Sequence, residues 1–171
     1  WERVNSDGAG VRGTELDVGI RPSAGVELRG GCTYIHSRYD SPHEDFGTKR
    51  FLRSPDLTAN LQLYLHPFNR IECFAAGTFI GEADVPHEVA VEGQEDPELC
   101  LERSSSFVQI DTGLTYRLPL DSGLEMKINL GIKNITNAYQ KDLDRGRSRD
   151  PAYVYGPTRP RTLYFGFETS F

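Results

Sequence analysis

The densest chemistry in the sequence lies between Tyr139 and Pro157. Tyr153 and Tyr155 offer flat apolar faces with one hydroxyl each, which suits a ring-shaped ligand. Asp142, Asp144, Arg145, Arg147, Arg149 and Asp150 place a mixed-charge cluster just upstream. Recognition concentrates on loops held by a rigid scaffold, so Tyr153, Tyr155, Arg145 and Arg149 are the candidate substrate-binding residues. The plainer reading is a solvated loop whose ion pairs only order it. A second polar stretch carries Asp84, Glu88, Glu92, Glu95, Asp96 and Glu98, hard oxygen donors that could hold calcium. No EF-hand spacing exists there, which favours a simple acidic loop. His36, His43, His66 and His87 show no metal-ligand spacing, although His43 and His87 fall on predicted outer loops, where either could serve as an axial haem ligand. No Ser/His/Asp set, phosphate loop or carboxylate pair stands out. Neither enzymatic activity nor a resident metal or cofactor is expected.

The elements that must position these residues read as strands. Val108, Ile110, Leu114, Tyr116 and Leu118 share one parity, with Gln109, Asp111, Gly113, Thr115 and Arg117 on the other. Leu124, Met126, Ile128, Leu130 and Ile132 likewise alternate with Glu125, Lys127, Asn129 and Gly131. Successive strand side chains point to opposite faces, so each segment has an apolar and a polar side. The same pattern covers Leu16 to Ile20, Val26 to Arg29, Asp56 to Leu65 and Thr162 to Phe171. It is weaker over Ile71 to Phe79, because Phe74 and Ile80 fall on the wrong parity. About seven strands result, and no convincing helix.

Short connections rich in turn formers, at Pro22 to Gly25, Pro67 to Asn69 and Pro119 to Ser122, alternate with long ones at Ser37 to Ser54, Gly81 to Arg103 and Asn137 to Pro160. In an up-and-down meander this puts every short turn at one end and every long polar loop at the other, as in outer-membrane barrels. Strands of roughly 10 to 13 residues, tilted by about 45°, project to roughly 25–28 Å, close to the apolar band of such barrels. The 171 residues carry a net charge of −6 with a mean hydropathy of −0.49 and a pI near 5.2. The acidic balance argues against a nucleic-acid partner, which calls for a basic face, and charge-free stretches such as Cys73 to Gly81 fall short of the roughly 20 apolar residues of a spanning helix, which excludes a helical membrane protein. Alternating barrel strands average to such hydropathy and are not excluded. The three cysteines, Cys32, Cys73 and Cys100, form no CxxC zinc site or dense disulfide scaffold and are expected to be free thiols.

An open seven-stranded sheet in lipid would leave two rows of unpaired backbone groups, and barrels escape this by closing. With an odd strand count, and with no basic-then-apolar targeting pattern opening the given sequence, the chain reads as a C-terminal fragment of a larger barrel.

Several motifs then stand in a specific order. Gly13-Thr14-Glu15-Leu16-Asp17 precedes Arg21-Pro22, and Thr33-Tyr34 precedes Arg38-Tyr39-Asp40. Arg53-Ser54-Pro55 leads into Ala59-Asn60-Leu61. Asn134-Ile135-Thr136-Asn137-Ala138-Tyr139 follows, and Arg161-Thr162 opens a run to the terminal Phe171. In this order and spacing the whole chain resembles the C-terminal part of a TonB-dependent outer-membrane receptor. It departs from that pattern by one residue fewer between Asn137 and Tyr139, by Pro160 where glycine is usual, and by Thr169 where a bulky apolar residue is usual.

The resemblance implies residues 1–171 as the last seven or so strands of a 22-stranded all-β barrel, with the signal peptide and the plug domain outside them. It also implies TonB-energised import of a scarce nutrient. The Tyr139 to Asp150 segment with Tyr153 to Pro157 resembles the subset that takes up cobalamin and iron complexes, siderophore or haem included. Implied partners are the TonB complex through the plug, outer-membrane lipids, the nutrient, an accessory surface lipoprotein, and barrel-assembly machinery reading Phe165, Phe167 and Phe171. Implied location is the outer membrane of a Gram-negative-type bacterium, with the C-terminus periplasmic and the long loops extracellular. The competing readings are a soluble β-sandwich binding a ligand such as carbohydrate, and a passive porin. A barrel requires Leu130 and Phe167 to meet no second protein layer, with Lys127 and Glu168 turned to the interior.

Overall fold

A computed structural model describes residues 8–91, 93, 96–120, 124–147 and 149–170; Trp1, Glu92, Glu95, Asp121, Ser122 and Phe171 lie outside the described residues. The strands are β1 (Ala9–Ser23), β2 (Val26–Tyr39), β3 (Leu57–Phe68), β4 (Ile71–Ile80), β5 (Asp84–Val89), β6 (Glu98–Arg103), β7 (Phe107–Pro119), β8 (Glu125–Lys133) and β9 (Thr162–Ser170). Seven pair into one antiparallel sheet in the order β1-β2-β3-β4-β7-β8-β9, and β5 with β6 forms a separate two-stranded ribbon. Among the described residues no helix occurs. The sheet is an open wall: β1 and β9 are each paired along one edge, and the barrel is not closed within this chain. A sandwich would need a second sheet across the first. The ribbon of two six-residue strands does not supply one.

Register explains why the alternation matters. Leu16, Cys32, Ala59, Phe79 and Val108 are successive cross-strand partners, as are Leu65, Cys73, Leu114, Leu130 and Phe165. Partners on neighbouring strands share a face, so the apolar parity of every strand falls on one side of the wall. Arg117, Lys127 and Glu168 form one row on the other side, and the Lys127 ammonium lies 3.7 Å from the Glu168 carboxylate. A one-residue slip would exchange the two faces of a strand. The register shifts fall at Pro22 in β1 and Pro67 in β3, where proline lacks the ladder N–H.

Phe74, which breaks the apolar parity of β4, is explained by the inner face. It lies opposite Tyr64 and Gly113, and the row continues through Gly131 to Tyr164. A Cβ on Gly113 would collide with the Phe74 ring and the Tyr164 hydroxyl, and one on Gly131 with Tyr164. The two glycines therefore make room for aromatics leaning in from either side, a close approach that only glycine permits.

The apolar side has no protein cover. Leu130 is 47% exposed and Phe167 72% exposed, together with Leu16, Val18, Ile20, Leu61, Leu114, Leu163 and Phe165. Among the described residues the hydrophobic side chains that protein does bury are Ala83, Val85 and Tyr153, all at the loop end. A water-soluble monomer seldom leaves an apolar patch beyond a few hundred Å², yet here an entire face is bare and the buried core sits among the loops.

One connection differs from expectation. The Gly81 to Arg103 segment, read as a polar loop, contains the β5–β6 ribbon, with Val85, His87 and Val89 on one face opposite Glu102, Cys100 and Glu98. Pro86, Pro97 and the run of carboxylates mask this alternation in the sequence. Cys100 consequently sits on a strand, and all three cysteines are free.

Candidate ligand-binding face at the loop end

The three long connections converge. Leu52 bridges to Asp84, and the Arg53 backbone N–H donates to the Asp84 carbonyl at 2.7 Å. The Arg53 guanidinium donates to the Ala152 carbonyl at 2.8 Å, and the Glu88 N–H donates to the Asp150 carboxylate at 3.1 Å. Buried Asp84 accepts from Arg103 at 3.0 Å and lies 3.3 Å from Arg50, which also holds Asp56 at 2.8 Å. A buried carboxylate needs such compensation. Of the acidic residues considered for calcium, Asp84 thus has its charge answered by two guanidinium groups, while Glu92 and Glu95 lie outside the described residues.

Asn134 organises the connection after β8. It is 2% exposed, with φ of 51°, a left-handed conformation in which asparagine is enriched among non-glycine residues. Its Nδ2 donates to the Ala138 and Arg159 carbonyls at 2.8 and 2.9 Å. Its Oδ1 accepts from the Ala138 N–H at 2.8 Å and the Thr136 hydroxyl at 3.2 Å, while its N–H donates to Asp111 at 2.8 Å. The side chain closes the loop on itself, and the backbone N–H ties it to β7. Asn137, also left-handed at 50°, accepts from the Arg161 N–H and guides the chain into β9.

Buried Gln140 then bridges the loop, donating to the Tyr153 carbonyl at 3.1 Å and accepting from the Tyr155 N–H at 3.0 Å. The hydroxyls of Tyr153 and Tyr155 both donate to Asp142, at 2.8 and 2.6 Å. Tyr153 is 2% exposed and stacks on His87, with ring centroids 3.7 Å apart and planes 8° apart. The free aromatic face expected of Tyr153 is therefore occupied: it pins the loop to the ribbon. His87, considered as a haem ligand, is covered by this stack. His43 lies in the first long connection between Tyr39 and Phe46.

Two clefts flank this pin. One, of about 550 Å³, is lined by Tyr139, Leu143, Val154 and Pro157, with Arg149 and Arg159 supplying positive charge. The other, of about 340 Å³, is lined by Phe107, Thr136, Lys141 and Tyr155, and shares Tyr139 with the first. Tyr155 and Arg149 thus line clefts, whereas Arg145 is exposed and lines neither. Tyr139, Lys141 and Arg159 are lining residues that spacing did not single out. Their signal was available in the aromatic and basic character of the segment, but not in any pattern. Apolar walls with guanidinium groups above them can hold a flat or ring-bearing molecule that carries negative charge.

Burial pushes the Asp142 carboxyl upward, but the hydroxyl bonds from Tyr155 and Tyr153 outweigh it and hold the carboxyl below its ordinary value of 3.8. Burial and the Asp142 carboxylate push both tyrosines up, so both hydroxyls stay protonated as donors. A depressed carboxyl contributes stability above its unfolded pKa and loses it as pH falls through the folded value. Protection of the 139–156 segment from limited proteolysis is therefore expected to hold from pH 8 down to about 4 and to fall only at lower pH. Loss of protection between pH 5 and 7 would show that Asp142 does not hold the loop.

Long antiparallel strands, one bare apolar face, short turns at one end and a tied cap of loops at the other define a segment of a barrel wall. The solved structures that match it have that architecture. The chain aligns over 94% of its length with the ferric-catecholate import receptor Fiu of E. coli K12 (18% identity, TM-score 0.60). It aligns over the same share with a variant of the ferric enterobactin receptor PfeA of Pseudomonas aeruginosa (19%, 0.62), and with the FrpB iron transporter of Neisseria meningitidis (18%, 0.58). It spans 20%, 22% and 24% of those chains respectively. A scan of protein-family models gives no match, and a search of curated proteins gives none. The fold is the one the sequence resemblance implies, that of a portion of the barrel wall of such receptors.

Proposed function

We propose that this chain forms the C-terminal part of the barrel wall of an outer-membrane receptor that imports an iron-chelate nutrient of the siderophore class, energised through TonB. The observation that carries the reading is the bare apolar face held in register across seven strands, while protein-buried hydrophobic side chains lie among the loops. Such a face is stable against hydrocarbon, and the opposite row of Arg117, Lys127 and Glu168 then faces a wet interior. Fiu, PfeA and FrpB are receptors or transporters of ferric catecholate, ferric enterobactin and iron respectively, which supports iron chelates over corrinoids. Arg149 and Arg159 suit the net negative charge of a ferric catecholate, and Tyr139 and Tyr155 suit its rings. Phe165 and Phe167, on the lipid side of β9, serve with Phe171 in recognition by barrel-assembly machinery. The long connections face outward and the C-terminus faces the periplasm.

The test uses the full-length receptor in cells with and without a functional TonB complex, offered radiolabelled ferric catecholates. Accumulation that requires TonB, by a protein that resists urea extraction from the outer membrane and migrates heat-modifiably, is the expected result. Partition into buffer without detergent would return the sandwich reading. Uptake indifferent to TonB would return the porin reading.

A further inference from the structure

The β5–β6 ribbon gathers three side chains that no spacing in the sequence relates. His87 lies directly opposite Cys100, and Glu102 lies opposite Val85, two residues from His87 on the same strand face. His87, Cys100 and Glu102 therefore project from one side of the ribbon. One donor atom from each lies within 4.8 Å of the other two, and Cys100 Sγ is 4.0 Å from a Glu102 carboxylate oxygen.

The histidine is prepared in a particular way. Its Nε2 lies 2.9 Å from Asp144 Oδ2. An ionised carboxylate only accepts, so Nε2 carries the proton and Nδ1 is left with a lone pair. Nδ1 is buried and has no hydrogen-bond partner among the described residues. The ring cannot easily turn to find one, because Tyr153 stacks on it and the side chain is 12% exposed. A buried acceptor without a partner is costly, and a bound cation would satisfy it. A carboxylate on one ring nitrogen that fixes tautomer and orientation for the other is the usual arrangement around metal-ligating histidines.

We propose that His87 Nδ1, Cys100 Sγ and Glu102 bind a divalent transition-metal ion, with Zn²⁺ as the best fit to the donors. One nitrogen, one sulfur and one carboxylate oxygen are the ligand types zinc accepts, and calcium and magnesium select oxygen alone. Ligands of a common tetrahedral zinc lie about 3.3–3.8 Å apart. Donors up to 4.8 Å apart need movements of up to about 1.5 Å to close on an ion, and Glu102 is the exposed member of the set. Binding forms the Zn–S bond and releases the Cys100 thiol proton to solvent. The fourth position is open to water. Because Asp144 belongs to the 139–156 loop, the ion would lock ribbon and loop together, whatever the receptor imports.

The full-length receptor, purified in detergent and stripped with chelator, is titrated with Co²⁺ as a spectroscopic stand-in for Zn²⁺. The expected result is a thiolate-to-cobalt charge-transfer band with intense tetrahedral visible bands, displaced by Zn²⁺. Cys100→Ser abolishes the charge-transfer band and His87→Gln weakens Co²⁺ binding at least tenfold. Asp144→Asn, which leaves all three ligands in place, weakens it about 10- to 100-fold. Heat-modifiable migration reports the fold of each variant without reference to transport. Absence of the band in the unaltered, folded receptor, or a band that survives Cys100→Ser, overturns the site.

Discussion

Leu114→Arg is expected to destabilise the barrel by about 2–4 kcal/mol, the cost of an arginine on the lipid face near mid-bilayer. Leu114 sits midway along β7 between Cys73 and Leu130, on the bare apolar side. Thr78→Arg, on the opposite face of β4 and exposed, is expected to cost less than about 1 kcal/mol, because an interior-facing charge remains solvated. Urea titration of the full-length receptor in lipid vesicles reads both. The asymmetry is the point. Equal losses at the two positions would mean that the apolar face does not meet hydrocarbon, and the reading of the whole sheet would fall with it.

Asn134→Ala is expected to cost about 3–5 kcal/mol. Without the carboxamide, the Ala138 N–H and the Ala138 and Arg159 carbonyls lose their partner in a part-buried setting, and each orphaned group costs about 1–3 kcal/mol when water cannot replace the bond. Alanine at φ of 51° adds roughly 1–2 kcal/mol. The terms overlap, so the total falls short of their sum. Hydrogen exchange should show the Ala138 and Arg161 amides deprotected while the centre of β7 and β8 keeps its protection. Asn134→Asp keeps the two acceptor contacts and loses the two donor contacts, and should fall between wild type and alanine. An unchanged exchange pattern in Asn134→Ala would remove this residue as the organiser of the loop.

The wall was legible because its physics is one-dimensional. Leu124 to Ile132 alternates without a break, and a side chain every second residue can only divide between two faces. Turn formers at Pro22 to Gly25 and Pro67 to Asn69 mark the short end in the same local terms, although β1 and β3 run through their prolines before turning. The loop end resisted reading because its contacts are non-local. Tyr153 looks like a free aromatic until His87, from a different connection, covers its ring. Asp84 looks like part of an acidic loop until Arg50 and Arg103 arrive from separate segments. Phe74 looks like a parity error until two glycines on β7 and β8 make space beneath it. Tyr155 and Arg149, which line clefts, stand out by residue type alone. Tyr139 and Arg159 became lining residues only when Asn134 folded the segment so that its two ends met.

The ties among Arg53 and Ala152, Glu88 and Asp150, and His87 and Asp144 carry a lesson for anyone who would exchange long connections between barrel walls of this fold. A single long connection grafted alone would leave donors and acceptors stranded on the other two. The unit of exchange is the whole canopy, and sequence drift in any one strap should leave matching scars in its companions.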